Sequence, residues 1–348
     1  MQLKAPQFWE SRGLLPILLW PLSFIYGLII GIRKWCFQIG LLDHQKLPVP
    51  VIFVGNLRVG GTGKTPCVIA LAKALYLKGF SPGILTRGYR SSLEAHQTQE
   101  VLPHSTSAQV GDEALLLAQH LRPIKIPVWV GAIRSKAGLE LLQHYKACNV
   151  LLSDDGLQHY ALERHPARDG GHDLEIIVRD SRGEGNQMLL PAGPLREPPS
   201  RQRDFTLHMQ MMTAADVPNQ SLLDDKNFTV SCFLKQAYRL IDPTQVQDLQ
   251  SLLGKRIVAV AGIAVPEKFF QALRDLGLNI ATLALEDHAN YSTMQFNSDL
   301  FKGVDVILLT EKDAVKCSHL QDDRIWVVPL EAELPTSLIN LMSQVLHR

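Results

Sequence analysis

The chain has 348 residues, which predicts two or three domains at roughly 150 residues per domain. Lys and Arg total 35 against 34 Asp and Glu, and the formal charge of +1 excludes nucleic-acid binding driven by overall positive charge. Apolar residues make up 46% and charged residues 20%, a composition that excludes intrinsic disorder. Five scattered cysteines without zinc or disulfide spacing indicate a reducing compartment.

The first predicted element is an apolar segment at 13–32, which carries no charged residue. It is long enough to cross a membrane, but Pro16 and Pro21 each remove a backbone donor and weaken a single straight span. We therefore favour a helix that lies in the membrane interface, with a transmembrane span, a buried core helix and a signal peptide as alternatives. The residues that would meet lipid headgroups are Trp20, Tyr26, Arg33, Lys34 and Trp35.

From Lys46 onward the chain alternates between apolar strands and amphipathic helices, a rhythm that predicts a parallel, doubly wound α/β sheet. The predicted strands lie at 48–56, 81–90, 126–132, 149–156 and 174–180, and the predicted helices at 66–79, 110–121 and 134–147. The polar residues 163–173 predict a surface loop, and 196–203 predict a boundary.

Short strands at 204–210 and 228–234 predict a connecting ribbon, and the α/β rhythm restarts at Arg256. Strands are then predicted at 256–263, 279–285, 304–310 and 324–330, and helices at 265–277 and 334–348. The predicted organisation is a membrane-associating segment at 1–46, an α/β domain at 47–204, a linker or ribbon at 205–230 and a second, smaller α/β domain at 231–348.

The sequence GGTGKT at 60–65 lies between a predicted strand and a predicted helix, the context that a phosphate-binding loop requires. Its glycines let successive N–H groups turn towards an anion, Lys64 would lie at the β- and γ-phosphates, and Thr65 would coordinate Mg²⁺. Arg58 stands where the usual pattern has its first glycine, and a chance glycine-rich turn is the alternative. The predicted nucleotide-binding residues are Arg58, Val59, Gly60, Gly61, Thr62, Gly63, Lys64 and Thr65.

Two carboxylates, Asp154 and Asp155, end the apolar strand NVLL. A carboxylate at the end of a neighbouring strand would contact a metal bound at the phosphate loop. The alternative is an ordinary Asp-Gly turn. Gln158 and His159 follow at once and would face the same cleft.

Three other polar groups cannot be assigned from the residues alone. Asp112 and Glu113 open a helix, where acidic side chains commonly serve only the helix dipole. Asp287 and His288 lie at a predicted strand-to-loop junction. The run at 311–313 follows an apolar strand and suits either a solvated turn or a contact with nucleotide or a neighbouring domain.

Together, these stretches resemble one family closely, the tetraacyldisaccharide 4'-kinases of lipid A biosynthesis, over almost the whole chain. The matching stretches after the apolar N-terminal segment are VGNLRVGGTGKTP (54–66), TRGYR (86–90), VGDEALLLA (110–118), SDDGLQH (153–159), LLPAGPLREP (189–198), AVAGIAVPEKFF (259–270), EDHANY (286–291) and TEKDAVK (310–316).

The resemblance implies a P-loop NTPase-like kinase domain, a second smaller α/β domain and an apolar helix at the cytoplasmic face of the inner membrane. The implied reaction moves the γ-phosphate of ATP, with Mg²⁺, onto the 4'-hydroxyl of an acylated glucosamine disaccharide 1-phosphate to give lipid IV-A. The implied partners are this lipid and the membrane surface, without nucleic acid, and no protein partner is indicated.

The resemblance also implies roles for single residues. Asp112 matches the general base of the family, and His288 its partner. Mg²⁺ would be placed by Thr65, Asp154, Asp155 and Glu113. Residues in cleft-lining motifs, which we expect to bind substrate, are Asn56, Arg134, Gln158, His159, Arg196 and Glu197.

Three features depart from the family pattern: Gln187, the pair Ala264 and Val265, and the length of the polar insertion at 163–173. None of these positions lies within the phosphate-loop motif at 60–65. The rival functions are a membrane-cycling P-loop ATPase without a sugar acceptor, a non-enzymatic scaffold and a kinase of a soluble metabolite. The Lys that a partitioning ATPase would carry at 58 or 59 is absent, and the uncharged segment at 13–32 disfavours the soluble acceptor.

Overall fold

The computed structural model describes residues 6–89, 91–212, 224–286, 291, 299–317 and 319–347. Within these ranges, the strands are β1 Val51–Gly55, β2 Pro82–Thr86, β3 Thr98–Glu100, β4 Val128–Gly131, β5 Val150–Asp154, β6 Leu174–Arg179, β7 Phe205–Met211, β8 Asn227–Phe233, β9 Gln236–Arg239, β10 Val246–Asp248, β11 Ile257–Ala261, β12 Ile280–Ala284, β13 Val306–Thr310, β14 Ile325–Val328 and β15 Glu331–Glu333. The α-helices are α1 Leu14–Gln38, α2 Lys64–Leu77, α3 Ser107–Val110, α4 Asp112–Leu121, α5 Arg134–His144, α6 Pro266–Asp275, α7 Glu311–Ala314 and α8 Thr336–Leu346.

The larger sheet has the strand order β15-β8-β7-β6-β1-β5-β2-β4-β3 over the described residues, with β1 at its centre. The strands from β8 to β4 are parallel, and β15 and β3 run antiparallel at the two edges. Ile52 and Val54 of β1 face the core formed with α2 and α4, whereas Val51 and Phe53 face the core formed with α5. Helices on both faces explain why β1 is apolar at successive positions.

The smaller sheet has the order β10-β9-β14-β13-β11-β12. Its parallel strands β12, β11, β13 and β14 are again apolar at successive positions, and α6 covers one face through Phe269, Phe270 and Leu273. The two sheets together confirm the predicted fold class of a doubly wound sheet with a second, smaller α/β unit.

The stretch after residue 204 joins the larger sheet, where we had expected a separate ribbon. β7 pairs in parallel with β6, and β8 pairs in parallel with β7. The chain also returns at its end: β15 pairs with β8, and Leu338, Ile339 and Met342 of α8 enter the core that contains α2. Apolar periodicity marks these elements as buried but does not say against which sheet, so the boundary of the second unit could not be taken from it.

The apolar N-terminal segment forms the continuous helix α1, with Pro16 in its first turn and Pro21 in its interior. Among the described helices it alone is long and apolar enough to cross a membrane, and 11% of its most apolar stretch is buried. Leu14 is 82% exposed and Leu18 74%, so the alternative of a buried core helix does not hold. One side is docked: the Ser23 hydroxyl donates to the Leu189 carbonyl at 2.8 Å.

Candidate functional site

The topology brings the glycine-rich loop and the two carboxylates together. β1 and β5 are neighbours and parallel, with Val54 in register with Asp154. Both strands therefore release their following loops at the same carboxyl edge near the centre of the sheet, the usual position of a ligand site in an open α/β sheet. The loop after β1 leads into α2, which begins at Lys64.

The glycine-rich loop leaves a series of amide groups available. Gly60 and Gly63 have φ angles of +106° and +83°, conformations that side chains rarely adopt, and Gly63 is the N-cap of α2. The N–H groups of residues 60–63 donate no hydrogen bond to the described part of the chain. Free amides at a helix N-terminus form an anion site, which fits the predicted phosphate loop.

Asn56 links the loop to its lysine. Its Nδ2 group donates to the carbonyl of Arg58 at 2.6 Å and to that of Gly60 at 3.2 Å, and its Oδ1 accepts from Lys64 Nζ at 3.1 Å. Asn56 is 1% exposed. The structure thus places this predicted substrate-binding residue behind the phosphate loop, where it holds two carbonyls and the lysine.

Asp155 lies between two cationic groups. Its carboxylate is 3.4 Å from Lys64 Nζ and 3.1 Å from an Arg196 guanidinium nitrogen. Burial alone would raise the pKa of Asp155, but Lys64 and Arg196 outweigh it and lower that pKa to about 2. Asp155 is therefore an anion at neutral pH, and Lys64 is held by Asp155 and Asn56 together.

Asp154 occupies the opposite environment. It is 1% exposed, and its Oδ1 atom has no hydrogen-bond partner among the described residues. Burial and the nearby negative charge of Glu113 raise the pKa of Asp154, while Lys64 opposes them. A buried, incompletely satisfied carboxylate near a second carboxylate suits a hard divalent cation, which favours oxygen ligands. Thr65 follows Lys64 on the first turn of α2 and completes the predicted set.

The described residues contain no group of three or more His, Cys, Asp or Glu that could hold a metal ion by itself. This fits Mg²⁺, which is commonly held by one or two carboxylates together with substrate phosphates. The residues present therefore suit a metal that arrives with a nucleotide.

Arg134 and His159 lie close together at the same cleft. Arg134 is 2% exposed and donates to the carbonyl of Asp154 at 3.5 Å. Burial, followed by the positive charges of Arg134 and Arg87, lowers the pKa of His159 to about 3. His159 is consequently a neutral imidazole at pH 7, able to donate or accept a hydrogen bond but not to supply a charge.

Gln158 and Glu197 form a hydrogen-bonded pair, with Gln158 Nε2 donating to Glu197 at 2.9 Å and reaching the carbonyl of Asn56 at 3.4 Å. Glu197 also accepts from the Tyr160 hydroxyl at 2.7 Å and from Arg201. Glu197 is thus held in one orientation at 3% exposure. The predicted cleft residues after β5 and those near 196 meet although they are distant in sequence.

Asp112 begins α4 and is 8% exposed, with the Ser107 hydroxyl donating to its carboxylate. Gly111 precedes it with a φ of +88°, and a Cβ added there would lie 2.8 Å from the carbonyl oxygen of Tyr89, so only glycine fits this approach to Asp112. The predicted partner of Asp112, His288, lies outside the described residues, as does Asp287.

Two ion pairs and one hydrogen bond between a histidine and a glutamate connect the two sheets around the cleft. Lys312 of α7 lies 3.4 Å from Glu113, so the run at 311–313 makes contacts across the cleft. Lys268 lies 2.6 Å from Asp180, and His120 lies 2.6 Å from Glu311.

Arg58 and Val59 stand apart from the other predicted nucleotide-binding residues. The Arg58 guanidinium is 3% exposed and pairs with Glu10, which precedes α1. The Val59 amide donates to the carbonyl of Pro194 at 2.9 Å. The structure therefore uses these two residues to fasten the start of the loop rather than to present groups to a phosphate.

Several residues that position the phosphate loop and the cleft side chains were not predicted from the sequence. Asp180 and Arg182 reach the phosphate loop from the end of β6, and Arg201 holds Glu197. The only sequence indication for Arg201 was its position four residues after Glu197 in a run taken as a boundary. Asp180 could also have been found from the sequence, because it follows the apolar strand β6, which lies beside the central strand β1.

Comparisons with known proteins agree with this geometry. A family model described as tetraacyldisaccharide-1-P 4'-kinase matches residues 15–347. A tetraacyldisaccharide 4'-kinase from Polynucleobacter asymbioticus is 44% identical over 99% of this chain and 96% of its own length. One from Coxiella burnetii is 39% identical over 99% and 97%. A crystal structure of the "apo" form of LpxK from Aquifex aeolicus in complex with ATP has a TM-score of 0.74 at 28% identity, covering 96% of this chain and 100% of that one.

Proposed function

Because the chain belongs to the tetraacyldisaccharide-1-phosphate 4'-kinase family and is thus an ATP-dependent kinase of lipid A biosynthesis, we propose that it phosphorylates its lipid in the cleft described above. The γ-phosphate of ATP passes to the 4'-hydroxyl of a tetraacylated glucosamine disaccharide 1-phosphate, and the product is lipid IV-A. The observation that carries this assignment is the set of unbonded amides at 60–63 ahead of α2, with Lys64 beside them.

Phosphoryl transfer depends mainly on positioning and on neutralising charge. The amides from Gly60 to Thr65 hold the phosphates, and Lys64 moves from Asp155 to the β- and γ-phosphates when nucleotide enters. Asp155 holds Lys64 near the loop until then, since the two groups are 3.4 Å apart. Arg196, 3.1 Å from Asp155, prevents the exposed carboxylate from repelling the incoming phosphates.

Among Asp154, Asp155 and Glu113, one or two carboxylates would hold Mg²⁺ together with Thr65 and the phosphates of ATP, and the metal would neutralise phosphate charge when bound. The fit rests on the unpaired Oδ1 of the buried Asp154. Burial and Glu113 raise the pKa of Asp154, and a cation bound there would offset both effects by favouring the carboxylate.

Asp112 acts as the general base that orients and deprotonates the 4'-hydroxyl. A sugar hydroxyl is a very weak acid, so the carboxylate contributes only when it is close and aligned. Burial, the Ser107 hydroxyl and the glycine before it set the orientation of Asp112. We propose His288 as the partner of Asp112 from the family resemblance alone.

The acceptor lipid lies between the cleft and α1. Arg134, Gln158, His159 and Glu197 line the part of the cleft that receives its sugar; Arg134 is held by the carbonyl of Asp154, and Gln158 by Glu197. The exposed apolar side of α1 lies against the cytoplasmic face of the inner membrane, as a peripheral or monotopic anchor. The Tyr26 hydroxyl donates to the carbonyl of Arg196 at 3.3 Å, so the middle of α1 lies beside the cleft.

The test is transfer of radiolabelled phosphate from ATP to the lipid A precursor in mixed micelles, with Asp112→Ala and Lys64→Ala variants. Asp112→Ala should lower kcat by about 10²-fold or more, because general bases usually contribute that much. Lys64→Ala should lower kcat/KM for ATP by about 10²-fold, as expected for a preorganised charge. A kcat within about threefold of the unmodified enzyme for Asp112→Ala would remove it as the base.

A further inference from the structure

Two peptide carbonyls of the phosphate loop accept hydrogen bonds from side chains of residues that lie outside the glycine-rich motif. Asn56 donates to the carbonyl of Gly60 at 3.2 Å, and the Arg182 guanidinium donates to that of Gly61 at 2.6 Å. In a trans peptide the C=O and N–H groups of one unit point in opposite directions. The bond from Arg182 therefore turns the N–H of Thr62 away from Arg182, and fixing this carbonyl fixes the amide that follows it.

Arg182 is itself held by Asp180. The Asp180 carboxylate accepts from the backbone N–H of Arg182 at 3.0 Å, from its Nε at 2.9 Å and from a terminal guanidinium nitrogen at 2.7 Å. The Asp180 side chain is 6% exposed and that of Arg182 19%. These three hydrogen bonds join residues two positions apart and leave the Arg182 guanidinium little freedom. The guanidinium therefore already faces the Gly61 carbonyl, and nucleotide binding does not have to order it at a large cost in entropy.

Asp180 also connects the loop to the second sheet. Lys268 of α6 donates to the Asp180 carboxylate at 2.6 Å. Burial opposes the charge of Asp180, but hydrogen bonds from Arg182 and Lys268 prevail and lower its pKa. Ala264 of the same unit lies next to the loop, because its Cβ is 3.4 Å from the position that a Cβ on Gly61 would occupy.

We propose that Asp180, Arg182 and Lys268 are positioning residues of the phosphate loop. Arg182 orients the peptide between Gly61 and Thr62 towards the nucleotide, Asp180 orients Arg182, and Lys268 makes this arrangement depend on the seating of α6 against the larger sheet. The inference rests on the proposed role of the loop in ATP binding. Its signature is a loss of affinity for ATP without a loss of affinity for the lipid.

The experiment measures the Kd of a fluorescent ATP analogue and the KM of both substrates for Asp180→Asn, Arg182→Gln, Arg182→Lys and Lys268→Met. Loss of a charge-assisted hydrogen bond that orients the loop should raise the Kd by about tenfold in Asp180→Asn and Arg182→Gln. Lys268→Met should raise it by about threefold, and Arg182→Lys should recover part of the loss. The KM for the lipid should stay within about twofold.

Arg274→Gln is the matched control, because Arg274 forms an exposed ion pair with Glu267 on the same helix, and its Kd should not change. The double variant Asp180→Asn with Arg182→Gln should be no weaker than Arg182→Gln alone, since Asp180 acts through Arg182. Lys268 is 35% exposed, so Lys268→Met tests the inference even if the buried Asp180 variant unfolds.

A Kd within twofold of the unmodified protein in folded Arg182→Gln, or equal increases in the KM of ATP and of lipid, would overturn the inference. Multiplicative losses in the double variant would overturn the role of Asp180. A Lys64→Ala variant with unchanged Kd would show instead that the loop does not bind ATP, which separates failure of the proposed function from failure of this inference.

Discussion

Asn56 shows how much of the site depends on single residues. One amide group donates to two loop carbonyls and accepts from Lys64, and no other residue type of this size offers two donor hydrogens together with an acceptor oxygen. Two adjacent carboxylates differ as sharply: Lys64 and Arg196 hold Asp155 as an anion, whereas burial and Glu113 oppose the charge of Asp154. Neighbours in the sequence thus serve different tasks because their surroundings differ.

At this scale we predict that Asn56→Asp separates the two functions of the amide. The carboxylate still accepts from Lys64, but it cannot donate to the carbonyls of Arg58 and Gly60. Because an unsatisfied buried group costs about 1 to 3 kcal/mol, the variant should lose that much stability. Thermal unfolding with and without ATP checks this, and the increase in Tm caused by ATP should shrink. An unchanged Tm together with an unchanged response to ATP would contradict the prediction.

At the scale of elements, β6 carries a buried carboxylate that organises the segment after it. Glu175 is 3% exposed and pairs with Arg164 at 2.5 Å, Arg168 at 2.5 Å and Arg201 at 2.6 Å. Arg201 extends the network to Glu197 at the cleft. Burial alone would raise the pKa of Glu175, but the three guanidinium groups lower it to about 2. An apolar strand thereby fixes a polar loop.

We predict that this network makes stability dependent on pH. The folded pKa of Glu175 is depressed, so its contribution is present above the unfolded value of about 4.3 and is lost as pH falls towards 2. Glu175→Gln should destabilise by about 3 to 5 kcal/mol at pH 7, and by less at pH 3.5. Denaturant unfolding at both pH values measures the difference. Glu267→Gln, in an exposed pair, is the control, and an equal gap at both pH values would refute the prediction.

At the scale of the whole molecule, α1 presents an apolar face to its surroundings while its other side is fastened to the loop that reaches the cleft. Trp9 donates to the carbonyl of Pro191 at 3.0 Å, and Ser23 accepts from the Ala192 amide at 3.0 Å. That loop also holds the start of the phosphate loop through the bond from Val59 to Pro194. These bonds place α1, the proposed membrane anchor, beside the cleft.

We predict that Leu18→Lys combined with Ile25→Lys abolishes membrane attachment. Leu18 is 74% and Ile25 51% exposed, and burying such side chains is worth about 1.5 to 3 kcal/mol each. Binding to vesicles of anionic lipid should fall by at least about 100-fold in flotation, with the Kd for ATP unchanged. Leu77→Lys, 83% exposed at the end of α2, is the control. Retained flotation of the double variant would rule out α1 as the anchor.

Local patterns predicted a large part of this architecture. Strand, glycine-rich loop and helix at 51–77, the carboxylates that end β5 and the exposed apolar helix were all expected from spacing and periodicity. Gln158 was expected in the cleft from its position after the two carboxylates, and Arg196 from the family resemblance; the structure joins them to Glu197 and Asp155 respectively. The membership of β7, β8 and α8 in the larger sheet was not expected, because an amphipathic pattern encodes burial and not the identity of the partner.

The sequence by itself determined where the glycine-rich loop and the carboxylates lie, since glycine conformations and residues at strand ends act over a few positions. Tertiary structure alone decided which groups support them. Arg182 reaches Gly61 across 121 positions, and Lys268 reaches Asp180 across 88. Such bonds depend on the packing of two sheets, and nothing in the local spacing of a single chain specifies which distant charge will meet which carbonyl.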